Sequence, residues 1–218
     1  MATWRRSWRV CRRSFHRVSR SKVRRRRAEH SHNARVSADA PCRIVLVGMM
    51  GSGKSTIGSL LAEATGWRYV DNDDLVVRAT GMSSRELVRT RGEAPMREAE
   101  RTAAEDALAE VPPVVVGIAG GAIADEAVQR KLAHAGLVVW LRAGTSTLAQ
   151  RALGADHRPW LEDGGVAWID ATNAERASLY ASVADLAVDT DLLGPTDAVG
   201  RILAAIAMQK ACAPPGSR

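Results

Sequence analysis

One octapeptide constrains this chain more than any other: Gly48-Met49-Met50-Gly51-Ser52-Gly53-Lys54-Ser55, which fits G-x-x-x-x-G-K-[ST]. The apolar stretch from Arg43 to Gly48 reads as a buried strand running into it. Behind it, Ile57, Leu60, Leu61 and Ala64 recur at helical spacing. This strand, loop and helix context is what a phosphate-binding loop requires. Glycines lacking Cβ let the backbone wrap a phosphate and turn its N–H groups inward. The positive end of the following helix favours the anion. Gly51, Ser52, Gly53, Lys54, Ser55 and Thr56 are therefore candidate nucleotide-binding residues, with Lys54 reaching the β- and γ-phosphates and the Ser55 hydroxyl available to Mg²⁺.

Charge divides the chain. Of its 218 residues, the first 40 carry 13 Lys and Arg against 2 Asp and Glu, while the remainder carries 18 basic and 22 acidic residues. The net charge of +7 thus belongs to an arm, and the body is slightly acidic. The arm has too few apolar residues to offset its ordering entropy. Its plainest reading, over residues 1–40, is a disordered extension without a function of its own. A tether to nucleic acid or to an anionic surface, and an organellar transit peptide, are the alternatives. Cys11, Cys42 and Cys212 are widely scattered. That spacing argues against a disulfide framework or zinc site and fits a reducing, cytoplasmic setting. No apolar run approaches the length of a membrane span.

Beyond the loop, the pattern predicts a short strand over Trp67–Asp71, ending in Asp71-Asn72-Asp73-Asp74. In an extended segment residues two apart face the same way, so Asp71 and Asp73 are expected to point into one cleft, with Asp74 as a helix cap. Helices are predicted over Met82–Thr90 and about Pro95–Glu110, the second carrying Arg97, Glu100 and Arg101 on one face. Val114–Ile118 reads as a strand buried on both sides, followed by Ala119-Gly120-Gly121-Ala122 where ligands bind in open α/β sheets. A helix to about Ala133, a strand over Leu137–Leu141 and a helix over Thr145–Leu153 come next. They are followed by a polar lid-like segment, a helix over Ala167–Val183, a strand over Leu186–Asp189 and a helix over Thr196–Met208. Strands alternating with helices predict a doubly wound, five-stranded parallel α/β sheet flanked by helices. The expected organisation is a domain over residues 41–209, a lid at about 150–164 and a flexible tail over 210–218.

Taken together, GMMGSGKST, Asp71-x-Asp73, the G-E-x-x-x-R from Gly92 to Arg97, Gly120-Gly121, Arg158-Pro159, the R-x-x-L-Y from Arg176 to Tyr180 and Val188-Asp189-Thr190 resemble the shikimate kinase family of P-loop enzymes. The resemblance spans roughly Cys42 to Ala207. It implies transfer of the ATP γ-phosphoryl group to the 3-hydroxyl of shikimate, a step in aromatic amino acid biosynthesis, with ATP and Mg²⁺ required and a monomeric enzyme. By the same resemblance, Asp71 helps hold the metal's hydration shell, and Asp73 contacts the acceptor hydroxyls and takes the proton of the attacking one. Arg97 and Arg176 grip the carboxylate, with Gly120 and Gly121 lining the acceptor; Glu100, one helical turn after Arg97, is spaced to orient it. Arg158 closes over the phosphates, and Arg151 packs on adenine.

The chain departs from the family pattern at Ala119, where a third consecutive glycine is usual. Val88 and Met96 stand in for aromatic residues, and Trp160 for a leucine. Two other functions fit less of the pattern: a P-loop kinase of another small hydroxy acid such as gluconate, and a non-catalytic nucleotide-binding regulator tethered by the basic arm.

Overall fold

The continuous apolar runs RIVLV, VVVG and LVVWLR take the three central places of a single sheet. The structure is a computed structural model describing residues 42–153 and 165–212. Its strands are β1 (Arg43–Val47), β2 (Arg68–Asp71), β3 (Val114–Gly117), β4 (Leu137–Arg142) and β5 (Leu186–Asp189). All are parallel, in the order β2-β3-β1-β4-β5. Position follows composition. β1 and β3 are buried almost throughout and can sit inside the sheet, whereas β2 is exposed or half-buried along its length, β5 has a single buried residue, and both lie at the edges. The compact unit is Pro41–Met208. The basic arm and most of the lid, including Arg158 and Trp160, lie outside the described residues.

The helices are α1 (Lys54–Thr65), α2 (Asn72–Thr80), α3 (Ser84–Arg91), α4 (Glu93–Ala109), α5 (Glu126–Leu132), α6 (Thr145–Leu153), α7 (Gly165–Val183) and α8 (Pro195–Cys212), with a 3₁₀ turn at Ala122–Ala124. The main core joins Val45, Val47, Val114, Val116 and Val138 of the sheet to Ala104, Ala107 and Leu108 of α4 and to Ile169 and Tyr180 of α7. A smaller cluster of Val76, Leu87, Met96 and Ala103 holds α2, α3 and the front of α4 together.

Of α2, the sequence pattern predicts only a cap at Asp74 and not the helix over Asn72–Thr80. It starts because the Asp71 side chain accepts from the Asp73 N–H, and Asp73 and Asp74 fill its first turn, where negative charge is favoured. Gly81 closes it in the left-handed conformation. The expected alternation of Asp71 and Asp73 along a strand is therefore corrected: Asp71 ends the strand and caps the helix, and Asp73 already belongs to that helix. Asp71, not Asp74, is the cap. Helix α3 opens on a complete capping box between Ser83 and Glu86. The closing helix runs to Cys212, beyond the expected Met208.

Candidate active site

A cleft of about 990 Å³ opens at the carboxyl ends of the strands. The loop after β1, the front of α2, the start of α4, the loop after β3 and α7 all reach it. It gathers Gly51, Gly53, Lys54, Ser55, Thr56, Asp71, Asp73, Arg97, Gly120, Gly121, Arg151 and Arg176. Nearly every residue singled out from the sequence and lying within the described residues is thus in one place. Ser52 belongs to the same loop but is wholly buried beneath it.

On the nucleotide side, the loop turns through Gly51 and Gly53 at φ +75° and +95°, conformations that side chains rarely adopt. Lys54 Nζ lies across the loop, donating to the carbonyls of Gly48 at 2.8 Å and Met49 at 3.0 Å. Arg151, on the last turn of α6, donates to the Thr190 carbonyl at 2.8 Å and to its hydroxyl at 3.1 Å. Thr190 is buried, and its hydroxyl reaches the carbonyl of Arg142 at 3.2 Å. Thr190 was noted in the sequence only as part of the V-D-T motif. The structure makes it the joint between the loop after β5 and Arg151.

Between the two halves of the cleft sits Asp71. Its Oδ2 accepts from Ser55 Oγ at 2.9 Å and from the Tyr69 hydroxyl at 2.7 Å, and its Oδ1 from the Asp73 N–H at 3.1 Å. Burial, reinforced by the Asp71 charge, raises the Tyr69 pKa, so that phenol is a donor at any working pH. No group of three or more metal-ligating side chains occurs among the described residues. Mg²⁺ keeps several waters and takes only one or two protein ligands beside the phosphates. A hydroxyl and a carboxylate 2.9 Å apart beside the loop fit such a site.

Elsewhere in the cleft, Arg176 Nη1 and the Tyr180 hydroxyl both donate to the Gly120 carbonyl, at 2.9 and 3.0 Å. Tyr180 is fully buried, its ring stacked on Trp140 at 5.7 Å, and burial pushes its phenol up to about 12. Arg97 and Glu100 close over Gly121: an added Cβ there would stand 2.5 Å from Arg97 Nη1 and 2.6 Å from Glu100 Oε2, so both side-chain ends would have to move aside. Arg97 is held chiefly by Glu93, at 2.7 Å, with Glu100 at 4.0 Å. The expected orienting role of Glu100 thus falls mainly to Glu93, which the sequence reading held only as part of the G-E-x-x-x-R motif. Arg101 instead pairs with Glu98 and Glu105 on the same helix. Ala119, Val88 and Met96 line the cleft as well.

Glu100 is buried, and its Oε2 has no hydrogen-bond partner. Burial raises its pKa, partly countered by Arg97. A raised folded pKa means that the side chain favours the fold fully below the ordinary value of 4.5 and loses that contribution as pH rises through its folded value. Glu100→Gln is therefore expected to raise the thermal midpoint at neutral pH and to lose the advantage in acid. Paired melting curves across pH test this, and equal midpoints at neutral pH would refute it.

Comparison with known proteins agrees with this geometry. The family model described as shikimate kinase matches residues 50–207. Among similar proteins, the shikimate kinase of Paramagnetospirillum magneticum is 38% identical over 161 residues, covering 73% of this chain and 82% of its own. That of Persephonella marina is 37% identical over 163 residues, covering 75% and 98%. Among solved structures, the Acinetobacter baumannii shikimate kinase in complex with shikimate superposes with a TM-score of 0.72 at 29% identity, over 78% of this chain and 95% of that one. From its nucleotide loop to its closing helix, the chain belongs to the shikimate kinase family.

Proposed function

We propose that this cleft transfers the γ-phosphoryl group of ATP to the 3-hydroxyl of shikimate, giving shikimate 3-phosphate and ADP. The observation that carries the reading is the meeting, in one cleft, of a phosphate loop with Lys54, a carboxylate at Asp73 and the guanidinium groups of Arg97 and Arg176. Phosphoryl transfer needs positioning and charge stabilisation more than covalent help from the protein. Arg97 and Arg176 pair with the acceptor's carboxylate, for which the planar guanidinium fork is suited. That fixes the ring so that one hydroxyl faces Asp73. Its oxygen forms the new bond to phosphorus as the bond to the ADP oxygen breaks, and Asp73 receives the hydroxyl proton. Lys54 and the loop N–H groups take up the charge developing on the phosphates.

Two in-plane donors of Arg151 are engaged by Thr190, an arrangement that suits stacking of the guanidinium face on a base. Ser55 and Asp71 would hold Mg²⁺ with part of its water shell, and the ion would neutralise phosphate charge. Arg158, by family resemblance, closes over the phosphates, while residues 1–40 take no part in the chemistry. The enzyme acts as a monomer in the cytoplasm. Among the described residues, no helix is long and apolar enough to cross a membrane.

The test is ADP release by the purified chain with Mg·ATP and, separately, shikimate, quinate, gluconate, AMP or no acceptor. Turnover on shikimate above the rest is the expected result. Turnover on gluconate or quinate instead would move the acceptor and leave the kinase. Nucleotide binding without acceptor-dependent turnover would overturn the reading.

A further inference from the structure

Tyr69 is placed with more care than an edge-strand aromatic needs. It lies on β2 opposite Val115 of β3, and its ring fills a slot between α1 and the end of β3. Two glycines make that slot. A Cβ at Gly58 would overlap the ring, and one at Gly117 would overlap the hydroxyl. Space has been cleared on both sides for a phenol whose oxygen ends 2.7 Å from Asp71 Oδ2. Phenylalanine would fill the same slot, so packing alone does not account for the hydroxyl.

The hydroxyl's partner matters. An ionised carboxylate offers about four acceptor positions. Three on Asp71 are filled, by Tyr69 and Ser55 on Oδ2 and by the Asp73 N–H on Oδ1. The last of these belongs to the helix cap, and Ser55 belongs to the phosphate loop. Tyr69 is the donor that reaches Asp71 from the sheet, and it fixes the rotation of the carboxylate plane. The remaining acceptor position is then aimed before any ligand arrives.

We propose that Tyr69 is a positioning residue for the metal side of this site: by holding Asp71 from behind, its hydroxyl sets how tightly the Mg²⁺–nucleotide pair is bound. This rests on the reading of Ser55 and Asp71 as the metal-facing residues. Without the hydroxyl, Asp71 turns more freely and must be ordered when the ion binds. Groups that orient metal-facing ligands typically govern affinity by about tenfold or more.

Binding of Mn²⁺ to the full chain with ADP, followed by the electron paramagnetic resonance signal of the free ion, tests the proposal without turnover. Tyr69→Phe is expected to weaken Mn²⁺ binding about tenfold, with shikimate affinity unmoved in calorimetry. Gly117→Ala, which pushes the hydroxyl aside but keeps the phenol, is expected to copy the defect. In the Tyr69→Phe background, the added methyl group should cost no further metal affinity. A purely packing role for Tyr69 would lower the thermal midpoint of the unliganded variants and leave Mn²⁺ binding alone. Asp71→Asn separates the two ideas. If Asp71→Asn weakens Mn²⁺ and neither Tyr69→Phe nor Gly117→Ala does, the positioning role is wrong. If Asp71→Asn itself binds Mn²⁺ as the parent does, the metal assignment fails first.

Discussion

Asp73→Asn is expected to lower turnover on shikimate by about 10²–10⁴-fold, the usual contribution of a positioned general base, while ADP binds as before. Asp73 sits in the first turn of α2, and its N–H donates to Asp71. The backbone that places it is therefore fixed by the cap and does not depend on the side chain's own charge. Asparagine keeps the shape and can still accept a hydrogen bond from an acceptor hydroxyl, but it cannot take the proton. The loss should appear in kcat, with calorimetric nucleotide affinity unchanged. Turnover within an order of magnitude of the parent would remove Asp73 from proton transfer and leave it a binding role.

Lys54→Met is expected to cost about 10²–10³-fold in kcat, comparable to removing one preorganised donor from a site of developing charge. Unlike the Asp73 variant, it should also weaken ATP binding. Lys54 donates to the carbonyls of Gly48 and Met49, so the ammonium is already held over the loop that receives the phosphates. Methionine retains the length and loses the charge. Unaltered ATP affinity together with unaltered turnover would contradict the assignment of this loop as the phosphate site.

Much of this was legible in the sequence because short-range rules carry it. The loop is specified by its own glycines and by its flanks, and the central strands by unbroken apolar runs. Helix α2 was legible only as a cap placed at Asp74, although its other signals were present, with Asp71 before it, acids in its first turn and Gly81 after it. The alternation rule claimed the same acidic residues for a strand. Both rules aim Asp73 at the cleft, whose lining it joins despite the wrong local structure. Glu93 carried a visible signal as well, four residues before Arg97, the spacing that favours a Glu-to-Arg pair on a helix. Tyr69 could not have been found this way. Its role depends on cavities left by Gly58, on α1, and Gly117, on another strand, and only three-dimensional packing brings them together.

The separation of the two hydrophobic clusters reaches beyond folding. Lys54 and Ser55 open α1 directly behind a loop anchored to the main cluster through Val47 and Met49, whereas Asp73 and Arg97 stand on helix segments held by Val76, Leu87, Met96 and Ala103. Substitutions in the smaller cluster are expected to displace Asp73 and Arg97, while Lys54, Ser55 and Arg176, tied to the main cluster, keep their footing. Over evolutionary time, such a chain can wander among small hydroxylated acids without ceasing to be a user of ATP. The residues to follow in that drift are the aliphatic ones beneath the arginine, more than the arginine itself.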